Sequence, residues 1–99
     1  MTYTEQVQNH LADCIRPVIA RADVFASELG IAPSTLCTQL RREGSTWQAL
    51  LAAEIERRIY AMRCNGFSER EISVELGYAK FSNYRRGLEN MANKRRAAA

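Results

Sequence analysis

The chain predicts an all-α fold, two helix-turn-helix units joined by a long linker helix. Three observations point there. Apolar residues recur three and four positions apart, and nowhere alternate with period two for long enough to argue a strand. Ser or Thr followed three residues later by Glu, the signature of a capping box, occurs at Thr2–Glu5 and Ser68–Glu71. Gly30, Gly44, Gly66 and Gly77 each close a periodic run, where a left-handed residue ends a helix at little steric cost. A chain of 99 residues has room for one domain with a modest core.

The first helix opens at Thr2 and places Val7, Leu11, Cys14, Ile15 and Val18 on one side. Pro17 lacks an N–H and crowds the preceding turn, so this helix should stop or bend near Arg16. A short second segment, Asp23 to Leu29, ends at Gly30. Pro33 suits the first turn of a third helix, which turns Leu36 and Leu40 inward and stops near Gly44. Ser45 and Thr46 are candidate N-caps for the longest helix, Trp47 to Cys64, whose apolar face is Trp47, Leu50, Leu51, Ile55, Ile59 and Met62. Asn65-Gly66 breaks it. Ser68 opens a fifth helix, Glu69 to Leu76, and a sixth begins near Lys80 with Phe81, Tyr84, Leu88 and Met91 inward.

The expected single domain therefore divides into a first unit at 3–44, a linker helix at 46–65, a second unit at 68–91 and a basic tail, 92–99, expected to be disordered. Its core should comprise Phe25, Leu29, Leu36, Leu40, Trp47, Leu51, Ile72, Leu76, Tyr84 and Leu88.

Several function classes find no support. No run approaches the ~18 apolar residues of a membrane span, and the polar N-terminus does not read as a secretion signal, so a cytoplasmic protein is expected. Cys14, Cys37 and Cys64 are scattered, and His10 is the single histidine. A structural zinc needs about four ligands at tight spacing, so neither a metal site nor a cofactor is expected. His10 stands in a polar stretch without an obvious orienting partner, and the chain is not expected to be an enzyme.

Charge is informative by position. Up to residue 40 Arg16 and Arg21 face Glu5, Asp13, Asp23 and Glu28, whereas from residue 80 onward Lys80, Arg85, Arg86, Lys94, Arg95 and Arg96 face Glu89 alone. A basic C-terminal third suits a phosphate backbone or another acidic surface, although Lys94 to Arg96 read equally as a solubilising tail.

An internal repeat carries the functional argument. Ala26-Ser27-Glu28-Leu29-Gly30-Ile31 precedes Leu36 and Leu40, and Ser73-Val74-Glu75-Leu76-Gly77-Tyr78 precedes Tyr84 and Leu88. The small residue, Ala26 or Ser73, lets two helices cross closely, and the glycine ends the first helix sharply. The residue after it plugs the gap, and the later pair pins the second helix while leaving its opposite face free. The second copy has one more residue after its glycine, so its turn should be longer by one. A six-helix bundle with repeated packing needs is the alternative reading of the same pattern.

The stretch from Asp23 to about Met91 resembles the DNA-binding domain of the AraC/XylS family of bacterial transcription regulators. The residues responsible run from Phe25 through Gly30-Ile31-Ala32-Pro33-Ser34-Thr35-Leu36, then Leu40-Arg41-Arg42-Glu43-Gly44 and Trp47-Gln48-Ala49-Leu50-Leu51. Glu71-Ile72-Ser73-Val74-Glu75-Leu76-Gly77-Tyr78 follows, with Ser82, Tyr84, Arg86 and Leu88. The resemblance implies that each unit places its second helix in the major groove. Members consisting of this domain alone are similar in length to this chain; they bind as monomers and act mostly as activators touching RNA polymerase. This chain differs in having Ala32 where the family usually has Ser or Thr, and in lacking the family's closing segment.

On the third helix Ser34, Cys37, Thr38 and Arg41 point outward, and the resemblance assigns base reading to Ser34, Cys37 and Thr38. These are short side chains, so weak selection is expected, and Cys37 is expected to be a small, half-buried filler rather than a redox switch. The sixth helix carries Ser82, Arg85 and Arg86 outward with Asn83 beside them. Arginine can grip guanine and asparagine adenine with two hydrogen bonds, though Arg85 and Arg86 can equally meet phosphates alone. Arg41, Arg42, Arg57, Arg58 and Lys80 are the candidate phosphate contacts, while Arg63 or Arg70 can pair with nearby glutamates.

The expected function is a transcription regulator that binds duplex DNA sequence-specifically, reading successive major grooves with helices 33–43 and 80–90. Control by abundance is expected, since no effector domain fits the length. The rival is a protein-binding modulator of RNA polymerase or of another regulator that keeps the fold without reading DNA. The first helix can pack on its own domain or form a dimer seam.

Overall fold

A computed structural model describes residues 2–98 and the side chains of residues 2–93. Six α-helices and one 3₁₀ turn follow in chain order, with no strand among the described residues. They are α1 (Tyr3–Asp13), the 3₁₀ turn (Pro17–Ile19), α2 (Ala22–Glu28), α3 (Pro33–Arg42), α4 (Trp47–Cys64), α5 (Glu69–Leu76) and α6 (Phe81–Ala98).

The starts of the helices follow their side-chain caps. The Glu5 N–H donates to Thr2 Oγ1 at 3.1 Å, and the Ala49 N–H to Thr46 Oγ1 at 3.1 Å, so Thr46 rather than Ser45 caps α4. Ser68 and Glu71 form a complete capping box at α5. Ala32 takes the extended N-cap conformation at α3 but offers no side-chain acceptor. Replacing Ala32 by Ser should therefore supply a side-chain acceptor to the N–H groups of the first turn and add ~1 kcal/mol of stability. Thermal unfolding checks this: a domain of this size should melt ~4–8 °C higher per kcal/mol gained.

The repeat is visible in the backbone hydrogen bonds. After α2 the Ile31 N–H bonds to Ala26 O and the Gly30 N–H to Ser27 O, both at 3.0 Å. After α5 the Tyr78 N–H bonds to Ser73 O and the Gly77 N–H to Val74 O, both at 3.1 Å. Each pair is a Schellman closure around a glycine at positive φ, 73° at Gly30 and 101° at Gly77. Ile31 and Ala32 separate Gly30 from α3, whereas Tyr78, Ala79 and Lys80 separate Gly77 from α6, which is the longer second turn that the repeat implies.

Two buried clusters make the core. The first joins Val7 and Leu11 of α1 to Phe25, Ala26, Leu36, Leu40 and Trp47. The second contains Ile55, Ile59, Ile72, Leu76 and Tyr84. Leu51, on α4, packs against both, so the linker helix is the shared spine. Seven of the ten expected core residues are buried, and Leu29, Leu51 and Leu88 are partly buried against these clusters.

Four expectations need correction. The first helix ends at Asp13, before Arg16, because Cys14 already turns extended and Arg16, preceding Pro17, is held out of the helical region. Ile15 consequently leaves the helix face on which it was placed and stands 87% exposed. The tail after residue 91 is helical, since α6 continues to Ala98. Met91 to Ala98 contains neither glycine nor proline and consists mostly of good helix formers, so nothing local stops propagation. His10 does have neighbours: its ring lies 4.5 Å from the Phe25 ring centroid and 6.3 Å from that of Trp47, on the first core cluster.

Candidate nucleic-acid interface

In each unit, packing decides which side of the second helix is left free. On α3, Leu36 and Leu40 are buried, and this turns Ser34, Cys37, Thr38 and Arg41 to the surface, where all four are exposed. The Thr38 hydroxyl donates to Ser34 O at 2.9 Å. Its one proton is thus spent, and Thr38 offers an approaching ligand only acceptor lone pairs and a methyl group. Cys37 is exposed rather than the partly buried filler expected of it. Arg41 and Arg42 are exposed, with no ion pair to either among the described residues.

On α6, buried Tyr84 and partly buried Phe81 and Leu88 leave Ser82, Asn83, Arg85 and Arg86 exposed on the opposite side. Neither Arg85 nor Arg86 is ion-paired among the described residues, and Lys80 is exposed just before the helix. The helix is fixed from beneath. The Tyr84 hydroxyl donates to Glu69 Oε1 on α5 at 3.1 Å, and the same carboxylate is ion-paired with Arg63 of α4. Burial first, and then Glu69, raises the Tyr84 pKa, so the phenol stays a donor at neutral pH. Tyr78 packs edge-on against Tyr84, with ring centroids 5.6 Å apart, and the Arg70 guanidinium lies 4.7 Å from the Phe81 ring centre. A Cβ on Gly87 would come within 3.1 Å of the Tyr78 hydroxyl, so this position of α6 lets the tyrosine lie close.

The candidate phosphate contacts separate into two groups. Arg41, Arg42 and Lys80 are exposed and carry no ion pair among the described residues, whereas Arg57 and Arg58 on α4 both bind Glu54. Arg57 remains exposed, so a phosphate would have to compete with that carboxylate. Arg58 is withdrawn from the candidate set. Its guanidinium donates to Leu11 O at 2.8 Å, Ala12 O at 3.1 Å and Ile15 O at 3.2 Å, carbonyls at and beyond the end of α1. The C-terminal end of a helix carries partial negative charge and leaves carbonyls without helical partners, which makes an arginine fork a good match. No sequence signal marks this role, because the partners lie 43 to 47 residues away.

Four carboxylates hold the frame, each with its pKa below the ordinary 4.5. Glu43 accepts first from the Thr4 hydroxyl and N–H and also from the Tyr3 N–H, which ties the end of α3 to the start of α1. Glu54 is lowered mainly by Arg57, Glu69 mainly by Arg63, and Glu71 mainly by the Ser68 N–H. A lowered folded-state pKa means that the stabilisation is present above the unfolded value and disappears as pH falls through the folded value. Urea unfolding midpoints should therefore be level near neutral pH and drop progressively below about pH 4.5. A midpoint unchanged at pH 3 would contradict this.

Among the described residues there is no group of three or more His, Cys, Asp or Glu side chains able to hold a metal ion, and no helix long and apolar enough to cross a membrane. A scan of protein-family models finds none that matches this chain, and a search of curated proteins finds no relative. Among solved structures, the fold is similar to that of a DNA-binding transcriptional dual regulator from Escherichia coli K-12, with a TM-score of 0.76 and 25% sequence identity over 92% of this chain and 88% of the other.

Proposed function

We propose that the chain is a non-enzymatic transcription regulator that binds duplex DNA sequence-specifically, laying α3 and α6 in successive major grooves. The observation that carries this reading is the α6 face: Ser82, Asn83, Arg85 and Arg86 are all exposed on the second helix of a duplicated helix-turn-helix. Similarity to a DNA-binding regulator along most of the chain supports it. Successive grooves on one side of a duplex lie ~34 Å apart, and α4, at 18 residues, spans ~27 Å. On this reading the protein belongs with the AraC/XylS regulators, acts in the cytoplasm and activates through contact with RNA polymerase.

One observation favours a second reading. Apart from Arg41, a candidate phosphate contact, the α3 face presents two hydroxyls, one of them already bonded, and a thiol, which is thin equipment for base recognition. A regulator that docks on RNA polymerase or on another regulator through this fold would need no more. Titration against random duplexes at low salt, followed by selection of the bound sequences, separates the two. The DNA reading expects binding that weakens steeply with salt and a selected site with two conserved segments. Absence of duplex binding at low salt would favour the protein partner.

A further inference from the structure

The two units are joined twice. Besides α4, a second path runs through the N-terminal segment, made of hydrogen bonds at both ends of α1 and apolar packing along it and beyond. It begins at the end of α3, where Glu43 accepts hydrogen bonds from Tyr3 and Thr4 at the start of α1. It continues along α1, whose Val7 and Leu11 are buried in the first core cluster. Arg58 then fastens the end of α1 and the following residues to the middle of α4 by its three carbonyl bonds.

Beyond that clamp the chain enters the other unit. Val18 of the 3₁₀ turn packs against the second core cluster. At Gly77, the turn between α5 and α6 sits directly on this segment. A Cβ added there would lie 2.9 Å from Arg16 Cβ and 3.6 Å from Ile19 Cγ2. Gly77 therefore serves two ends, closing α5 at positive φ and letting the second unit seat against the N-terminal segment.

We infer that α1 and the 3₁₀ turn form a strut that fixes α6 relative to α3, with Arg58 and Gly77 as its positioning residues. A single helix such as α4 leaves each unit free to roll about one line of contact. A second, separate connection removes that freedom. The inference rests on the DNA-binding reading for its consequence, which is that the strut sets the spacing at which two half-sites are bound together. The geometry of the strut itself does not depend on DNA.

The test has two arms. In the first, a spin label on Cys37 of α3 and another on a cysteine introduced by Ser82→Cys on α6 report the distance between the two helices, in a background carrying Cys14→Ala and Cys64→Ser. The unclamped protein, Arg58→Met, should broaden a narrow distance distribution, and Arg58→Lys should restore part of it. Gly77→Ala should shift the mean distance, because the added methyl must push the turn off Arg16, and it supplies the test should Arg58→Met fail to fold. Equal, narrow distributions with unchanged means in the folded variants would overturn the strut.

In the second arm, duplexes carry the two selected half-sites at varied separations. Wild type should show one sharp optimum, and Arg58→Met should flatten it, losing about tenfold at the best spacing while binding an isolated half-site as before. If wild type binds no duplex, the DNA reading fails while the distance arm still decides the strut. A spacing profile unchanged in folded Arg58→Met would overturn the positioning role.

Discussion

Replacing Leu40 by alanine is expected to cost ~2–5 kcal/mol of folding stability. Leu40 is fully buried, in a cluster that brings together α1, α2, α3 and the start of α4. Its loss removes apolar area and leaves a gap that helices pinned at both ends cannot easily close. The end of α3 is also secured there, since the Ser45 N–H donates to Leu40 O at 2.8 Å, so the backbone has little freedom to sink into the void. A domain of this size typically has a total stability of ~5–15 kcal/mol, so the change would remove a large share. Urea unfolding with an unchanged m-value would report it; a loss below ~1 kcal/mol would mean that the first cluster is loosely packed.

Removing the arginines of α6 should give the largest effect on DNA binding. Both are exposed, and no carboxylate is paired with either among the described residues, so a ligand would not first have to break an internal ion pair. Arg85→Ala and Arg86→Ala are expected to differ in kind. The variant that loses a base contact should give up ~1–3 kcal/mol of discrimination, and the selected site should relax at one position. The variant that loses a phosphate contact should weaken every sequence alike and lower the log–log salt slope by roughly 0.9. Ser34→Ala on α3 should change far less, because a hydroxyl can either donate or accept and so discriminates poorly among bases. Equal affinity and an identical selected site in the Arg85→Ala, Arg86→Ala double variant would remove α6 from the interface.

Much of this fold was legible because its determinants are local. Caps at Thr2, Thr46 and Ser68, glycines at positive φ and apolar periodicity act within a few residues, and the elements appear where those signals put them. The places where local reading went astray share a different cause. Ile15 was assigned to a helix face by its spacing, but the chain had already left the helix after Asp13. Nothing local ended α6 near Met91, and the helix runs on to Ala98.

The candidate site divides along the same line. That Ser82, Asn83, Arg85 and Arg86 would share a surface followed from the burial of Tyr84 and Leu88 at helical spacing. That Arg58 would turn inward could not follow from spacing, because its acceptors belong to α1 and come within reach only after α1 has docked on α4. Glu43 is the same case: beside Arg41 and Arg42 it reads as a surface charge, yet its carboxylate is held at the start of α1. By itself the sequence determined the all-α class, the repeated unit and the charged stripe, since hydrophobic burial and helix capping depend on near neighbours. Only the tertiary structure decided which charges remain free and how the N-terminal segment links the two units. A hydrogen bond between distant residues exists only once packing has brought a donor within about 3 Å of its acceptor, and periodicity carries no record of that.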